Sequence, residues 1–353
     1  MTSSSELGLL RLVAQRLAGP AHPTAADAVR ALTAVQGQDY PGALISVALR
    51  TAGRRREAVE AALDAGDVVR SWPVRGTLHL VATDDLRWLL DLLGPRVLKG
   101  AAGRRERLGL TDADAERARA ITVGVLAGGG RLRRDALLAA LADGGVDVSG
   151  QRGYHLLWYL AQTGTLCLGP TDTGQQLFVL LDEWAPPAPP RERTEALGEL
   201  ALRYFTGHGP ASVQDLARWA GLPLGDVRAG LAVAAPHLTR LEVDRVEYLL
   251  APETADLLAA VRTEARGVFL LPGFDEFVLG YADRGAVLDP AHADHIVPGN
   301  NGMFRPTVVS DGRVVGTWAW RGRGARRDVS ATPFTEFPRH VAAAIEELSA
   351  ALP

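Results

Sequence analysis

Read by its apolar positions, the chain alternates helical spacing with short runs of period two. The clearest unit spans about 194–250. Leu197, Leu200, Ala201, Tyr204 and Phe205 recur at helical spacing, and Gly207-His208-Gly209-Pro210 then breaks the pattern. Residues 211–222 predict a short helix with Ser212 as its N-cap and Gly221 at its end. Residues 223–234 follow as a second helix after a tight turn. Residues 238–243 and 246–251 alternate around Asp244-Arg245, which predicts a hairpin. Helix, helix-turn-helix and hairpin is the order of a winged helix.

The same order occurs twice more. Residues 112–127 are helical in pattern, glycines break them at 128–130, helices follow at 132–145 and 151–164, and strands at 165–170 and 176–184. Near the N-terminus a helix over 6–17 leads to Thr24, an N-cap for a helix over 25–36. Helices at 42–52 and 56–66 and strands at 68–72 and 76–82 complete that unit. A repeat of about 100 residues points to an array of like modules. The Pro-rich stretch at 184–193 reads as a spacer. After about Gly267 the pattern turns to β structure, with a hairpin signal at Ser310-Asp311-Gly312-Arg313 and a closing helix over 339–352. The expectation is an α+β chain of tandem winged-helix modules at 1–85, 86–185 and 190–262, and a C-terminal β-rich domain at 263–353.

Composition trims the options. At 353 residues the chain is long enough for several domains. Cys167 is the single cysteine, so an intrachain disulfide and a thiolate metal cluster are excluded. No apolar run approaches the length of a membrane helix. The first residues read as an amphipathic helix carrying Glu6, Arg11 and Arg16, not as a signal peptide. A monomer in the cytoplasm is expected, with no membrane partner. The net charge is −3, so nucleic-acid binding would rest on local arginine-rich faces. Lys99 is the only lysine, which excludes a Walker A loop and leaves little for Schiff-base chemistry.

Helix-turn-helix units make nucleic acid the leading partner, since a recognition helix fits the major groove and a wing can touch the backbone; such modules also serve in protein–protein contacts. The densest basic loop holds Arg321, Arg323, Arg326 and Arg327 after Trp318 and Trp320, and arginine forks suit phosphates. Arg54–Arg56, Arg133, Arg134, and Arg70 with Arg75 are further candidates. His292 and His295 lie three apart, but no third metal ligand is evident and Pro290 argues for a turn. Asp275-Glu276 reads more readily as a turn or salt-bridge pair than as catalytic carboxylates. Gln36 and Gln38 flank Gly37 where the helix pattern stops. Gly37 can end that helix in a left-handed conformation. The amides then cap carbonyls, or face the same way and grip a small object such as a water.

Three separated motifs bear a family resemblance: Ala34–Gln38 (AVQGQ), Arg70–Val81 (RSWPVRGTLHLV) and Val297–Trp318 (VPGNNGMFRPTVVSDGRVVGTW). In this order they resemble the AlkZ/YcaQ-like DNA glycosylases of the winged-helix DNA-binding superfamily. The resemblance implies tandem winged helices around a DNA-sized channel and removal of alkylated purines, including bulky N7-alkylguanine adducts and interstrand crosslinks. It also implies, for some members, protection of a producer from its own DNA-alkylating antibiotic. The family's catalytic motif is Gln, an apolar residue, then Gln or Asp, and it falls on Gln36, Gly37 and Gln38; Gly37 and Val74 depart from the larger apolar residues expected there. The site implied is Gln36 and Gln38, with Asp39 assisting and Arg70, Arg75 and His79 at the DNA beside the 321–327 loop. The reaction implied is monofunctional hydrolysis of the N-glycosidic bond, without cofactor or metal, leaving an abasic site. Access implied is to a base still in the duplex, with a wing or hairpin opening the minor groove. The partner would be double-stranded DNA with alkylated purines, and the bound enzyme would lie on the nucleoid. The rival is a non-catalytic winged-helix binder, a regulator or lesion sensor, which would hold DNA without releasing a base; a protein-interaction scaffold would show no salt-dependent DNA affinity.

Overall fold

The computed structural model describes residues 4–185, 189–322 and 327–353. Four two-residue turns set most of its strand pairing. Arg75-Gly76, Thr173-Gly174, Asp244-Arg245 and Asp311-Gly312 all have positive φ at both residues, the backbone whose twist matches that of antiparallel strands. They join β2 (Val68–Val74) to β3 (Thr77–Ala82), β4 (Leu166–Asp172) to β5 (Gln175–Leu180), β6 (Thr239–Val243) to β7 (Val246–Leu250), and β9 (Thr307–Ser310) to β10 (Arg313–Arg321).

The helices ahead of the first hairpin are α1 (Ser4–Ala14), α2 (Ala25–Ala31), α3 (Tyr40–Ala48) and α4 (Arg56–Ala65), with the short strand β1 (Val35–Gln36) between α2 and α3. The second unit follows α5 (Thr83–Arg107): α6 (Asp112–Leu126), α7 (Arg134–Asp143), α8 (Arg152–Gln162), the β4–β5 hairpin and a single turn, α9 (Leu181–Trp184). The third is α10 (Arg193–His208), α11 (Val213–Ala220) and α12 (Leu224–Ala234), then β6–β7 and α13 (Thr254–Ala265). β8 (Val268–Leu271), α14 (Glu276–Leu279), α15 (Ala293–Ile296), β9, β10, β11 (Asp328–Pro333) and α16 (Arg339–Ala351) end the chain.

Local chemistry accounts for the helix starts. Thr111 and Ser212 each accept the backbone N–H three residues on while Asp114 and Asp215 reach back, a capping box in both cases. Gly221 is left-handed at φ 69° and ends α11, as its sequence position predicts.

Three features were not expected from the sequence. Helix α5 runs 25 residues and passes through Pro95; Leu86, Leu89, Leu90 and Leu93 are buried in one core before the proline, and Val97, Leu98 and Ala101 pack against another beyond it. The first two hairpins share one five-stranded sheet, ordered β1-β3-β2-β4-β5, joined where Arg70 pairs with Leu168. Helix α1 shares its core with α13 and the C-terminal sheet: Leu9, Leu12 and Val13 pack with Leu258, Leu271, Val309 and Val314. A side chain at Gly8 would lie 2.1 Å from the Gly312 carbonyl, so the helix touches that turn backbone to backbone. The C-terminal sheet is β11-β10-β9-β8. Of the stretch 268–281, expected as β structure, only Val268–Leu271 is a strand; the rest is a buried turn and α14. No helix of the described residues is long and apolar enough to cross a membrane.

Candidate active site

Helix α2 does not reach the glutamines. It stops at Ala31, and Thr33 takes a positive φ of 66°, so Thr33, not Gly37, turns the chain out of the helix. Val35 and Gln36 then form the edge strand β1 against Leu80 and His79. Gly37 continues that edge: its N–H donates to the Leu78 carbonyl at 2.7 Å, and its carbonyl accepts Arg70 Nε at 2.9 Å. A Cβ on Gly37 would sit 3.4 Å from Arg70 and His79, an ordinary contact.

The two amides are not equivalent. Gln36 is 7% exposed. Its Oε1 accepts the backbone N–H of Gln38 at 2.5 Å, and its own N–H donates to Glu276 Oε1 at 3.3 Å. Gln36 therefore pins the backbone of the motif from below. Gln38 is exposed and presents its side-chain amide outward. Asp39 precedes α3 and is half-buried. Its carboxylate leans over Gly42, where a Cβ would come within 2.4 Å of Oδ2, so Gly42 keeps the acid beside the glutamines.

Arg70 fixes the other side. Besides holding Gly37 it donates to Gln176 Oε1 at 2.7 Å and lies 5.2 Å from the Tyr40 ring. Burial pulls its pKa down to about 10, so it remains a cation at neutral pH. It lines a cleft of about 550 Å³ with Arg134, Gln175, Gln176 and Phe178.

Beneath the motif lies a buried polar network. Glu276 is fully buried; it accepts Trp219 Nε1 at 2.9 Å and lies 3.2 Å from His208 Nε2. Burial alone would raise its pKa, but His208, His79 and Trp219 reverse the shift and hold it below the ordinary carboxylate value. Neighbouring Asp275 receives both terminal nitrogens of Arg50, at 2.8 and 2.9 Å, and the Ser46 hydroxyl at 2.6 Å. The salt-bridge reading of Asp275 matches this geometry. The contact between Glu276 and Gln36 escaped sequence reasoning; the one available signal is the apolar frame of Phe274-Asp275-Glu276-Phe277, where buried carboxylates must have partners.

The candidate DNA contacts scatter. Arg75 sits in the β2–β3 turn at φ 53° with its guanidinium bonded to the Trp219 carbonyl. His79 is fully buried on the inner strand β3, so no phosphate can reach it; its Nδ1 bonds the Thr77 carbonyl at 2.8 Å, and burial, reinforced by Arg75, lowers its pKa to about 4. Arg321 and Arg327 are exposed near the end of the β10–β11 hairpin, and Arg327 stacks on Trp320 at 3.8 Å. Arg323 and Arg326 lie outside the described residues. Arg56 pairs with Glu60 and Arg133 with Asp172. His292 and His295 pack on Phe334, and no group of three or more His, Cys, Asp or Glu among the described residues is arranged to hold a metal ion. The Cys167 thiol is buried and pushed up to about 12, too high for a nucleophile.

Comparison with known proteins sets this arrangement in context. A family model described as DNA glycosylase AlkZ-like matches residues 29–352. An interstrand DNA cross-link repair glycosylase of Streptomyces sahachiroi is 29% identical over 96% of this chain and 93% of its own length. The structure of the Streptomyces sahachiroi DNA glycosylase AlkZ superposes with a TM-score of 0.82 at 28% identity, covering 99% of this chain and 96% of that one. With the match spanning nearly the whole sequence and the fold together, the chain belongs to the AlkZ-like family of DNA glycosylases.

Proposed function

We propose that this glycosylase hydrolyses the N-glycosidic bond of alkylated purines in double-stranded DNA, N7-alkylguanines with bulky or crosslinked substituents above all, and leaves an abasic site. It acts as a monomer and serves a cell exposed to a DNA-alkylating natural product, its own included. The single observation behind the mechanism is the bond from the Gln38 N–H to Gln36 Oε1, which leaves the Gln38 side chain as the outward amide. An N7-alkylated guanine already carries positive charge, so it leaves without a strong acid. The transition state resembles an oxocarbenium ion. A fixed amide dipole can orient the attacking water and stabilise that charge. Asp39, half-buried beside it, accepts the water's proton late in the reaction. Glu276 acts through Gln36 as a positioning residue.

The test is an oligonucleotide with one defined N7-alkylguanine, followed by alkali. Strand breaks at the lesion are expected with the wild type. Gln38→Ala should lower single-turnover excision by roughly 10²-fold while leaving DNA affinity within threefold (~3). Absence of breaks across small, bulky and crosslinked N7 lesions overturns the reading.

A further inference from the structure

A cleft of about 510 Å³ opens where the β2–β3 turn, α5, α8 and the α11–α12 turn meet. We propose that it binds one unpaired nucleotide of the DNA strand near the lesion. Arg75, Arg96 and Arg104 line it together with Tyr154, His155 and Trp158, and no aspartate or glutamate does. Three other arginines of the same helices are paired: Arg87 with Asp182, Arg105 with Asp112, Arg152 with Asp147. In the cleft, Arg75 bonds only a carbonyl and Arg104 a neutral amide, Gln151 at 2.5 Å. Arg96 is exposed on α5 and makes no ion pair among the described residues. None of the three guanidinium groups makes an ion pair among the described residues, Glu276 acting on Arg75 only from a distance, and their fork geometry suits the anionic phosphodiester.

The walls select a flat ligand. Trp158 is held in place by its Nε1 bond to the Gly76 carbonyl at 3.0 Å, and His155 lies 5.2 Å from it at an interplanar angle of 32°. Burial, with Arg104 and Arg105, lowers the His155 pKa, so the ring offers an aromatic face rather than a charge. Tyr154 is 42% exposed at the mouth. Its phenol is also close enough to Arg70 to act on it electrostatically, which puts the cleft and the glutamine motif on neighbouring surface. Arg75 lies in the turn that opens β3, and His79, further along that strand, pairs with Gln36. A paired base keeps both faces in its own stack, whereas an unpaired base can stack on protein aromatics. An anionic group joined to a planar ring beside the motif is a nucleotide displaced from the duplex when the enzyme opens DNA around a base too bulky to swing out.

This inference takes DNA as the partner, as the proposed function does, but does not depend on Gln36 or Gln38. It is tested by fluorescence anisotropy with undamaged DNA, comparing a perfect duplex with the same duplex carrying a central two-nucleotide bulge (~2 nucleotides). The wild type should bind the bulged duplex about tenfold tighter. Tyr154→Ala and the double variant Arg96→Ala/Arg104→Ala should abolish that preference and leave perfect-duplex affinity unchanged. The double variant should also bind the bulged duplex with a shallower salt dependence, by about two in the log–log slope. These are surface positions, and unchanged thermal unfolding verifies the fold. Equal wild-type affinity for both duplexes overturns the proposal. So does a loss shared equally by both duplexes, which would reduce the cleft to a backbone contact. Gln38→Ala should lose excision and keep the bulge preference, so the two proposals fail separately.

Discussion

Gln36 and Gln38 differ in exposure more than in chemistry. One is locked into the backbone of the motif, and the other is offered to solvent. The pair and its spacing were legible in the sequence; this division of labour was not. It depends on Thr33 adopting a left-handed backbone and on Gly37 bonding to Leu78 across the sheet, and neither leaves a local signature. His79 teaches the same lesson. The resemblance places it at the DNA, yet β3 is buried along both faces and takes His79 with it. Its folded pKa of about 4 lies below the unfolded value near 6.5 (about 6.5). Above that value His79 is neutral in both states and costs nothing. As pH falls from about 6.5 towards 4, the unfolded chain takes up a proton that the folded chain refuses, and stability drops by up to about 1.4 kcal/mol per pH unit. Urea unfolding at pH 7 and pH 5 should therefore show His79→Gln losing about 1–2 kcal/mol less than the wild type. Identical losses in both would contradict a buried neutral histidine.

At the level of elements, what the sequence announces is local. Caps, turns and helix-turn-helix units follow from Ser212, Gly221, Asp244-Arg245 and Asp311-Gly312, whose preferences act within four residues (about 4). The joining of two hairpins into one sheet at Arg70 and Leu168 is a contact across nearly 100 positions (about 100), and no periodicity encodes it. The long helix α5 was not assigned from the sequence; it passes Gly94-Pro95 because burial on both sides of the proline, not propensity, sustains it. Gly221 links a legible feature to one that was not. A side chain there is strained by φ 69° and would meet Arg75 Cγ at 3.2 Å. Gly221→Ala should cost about 1 kcal/mol in thermal unfolding. It should also weaken binding of the bulged duplex, because Arg75 forms a wall of the cleft. Unchanged stability would mean that the α11–α12 turn relaxes freely.

Across the whole molecule, Arg50 and Asp275 tie the first unit to the C-terminal part. They are 225 residues apart and both fully buried. Burial alone would raise the Asp275 pKa, but Arg50, Ser46 and the Phe277 N–H hold it below the ordinary carboxylate value. Its contribution is therefore present above about pH 4 and lost only in stronger acid. Asp275→Ala strands a buried guanidinium and should destabilise the protein by about 3–5 kcal/mol in urea unfolding. Arg50→Met/Asp275→Leu should recover much of that loss. A loss below about 1 kcal/mol for Asp275→Ala would show that water reaches Arg50.

The packing of α1 on the Asp311-Gly312 turn has a consequence for how the protein is made. Residues 4–14 leave the ribosome some 300 positions before the strands that cover them, a delay of roughly 15–60 seconds at bacterial elongation speeds. During that interval Leu9, Leu12 and Val13 have only part of their final core, since Val309 and Val314 are not yet made. A nascent chain halted before β9 is thus a natural client for a chaperone, and release of that client marks the moment when the chain's first helix meets its last sheet.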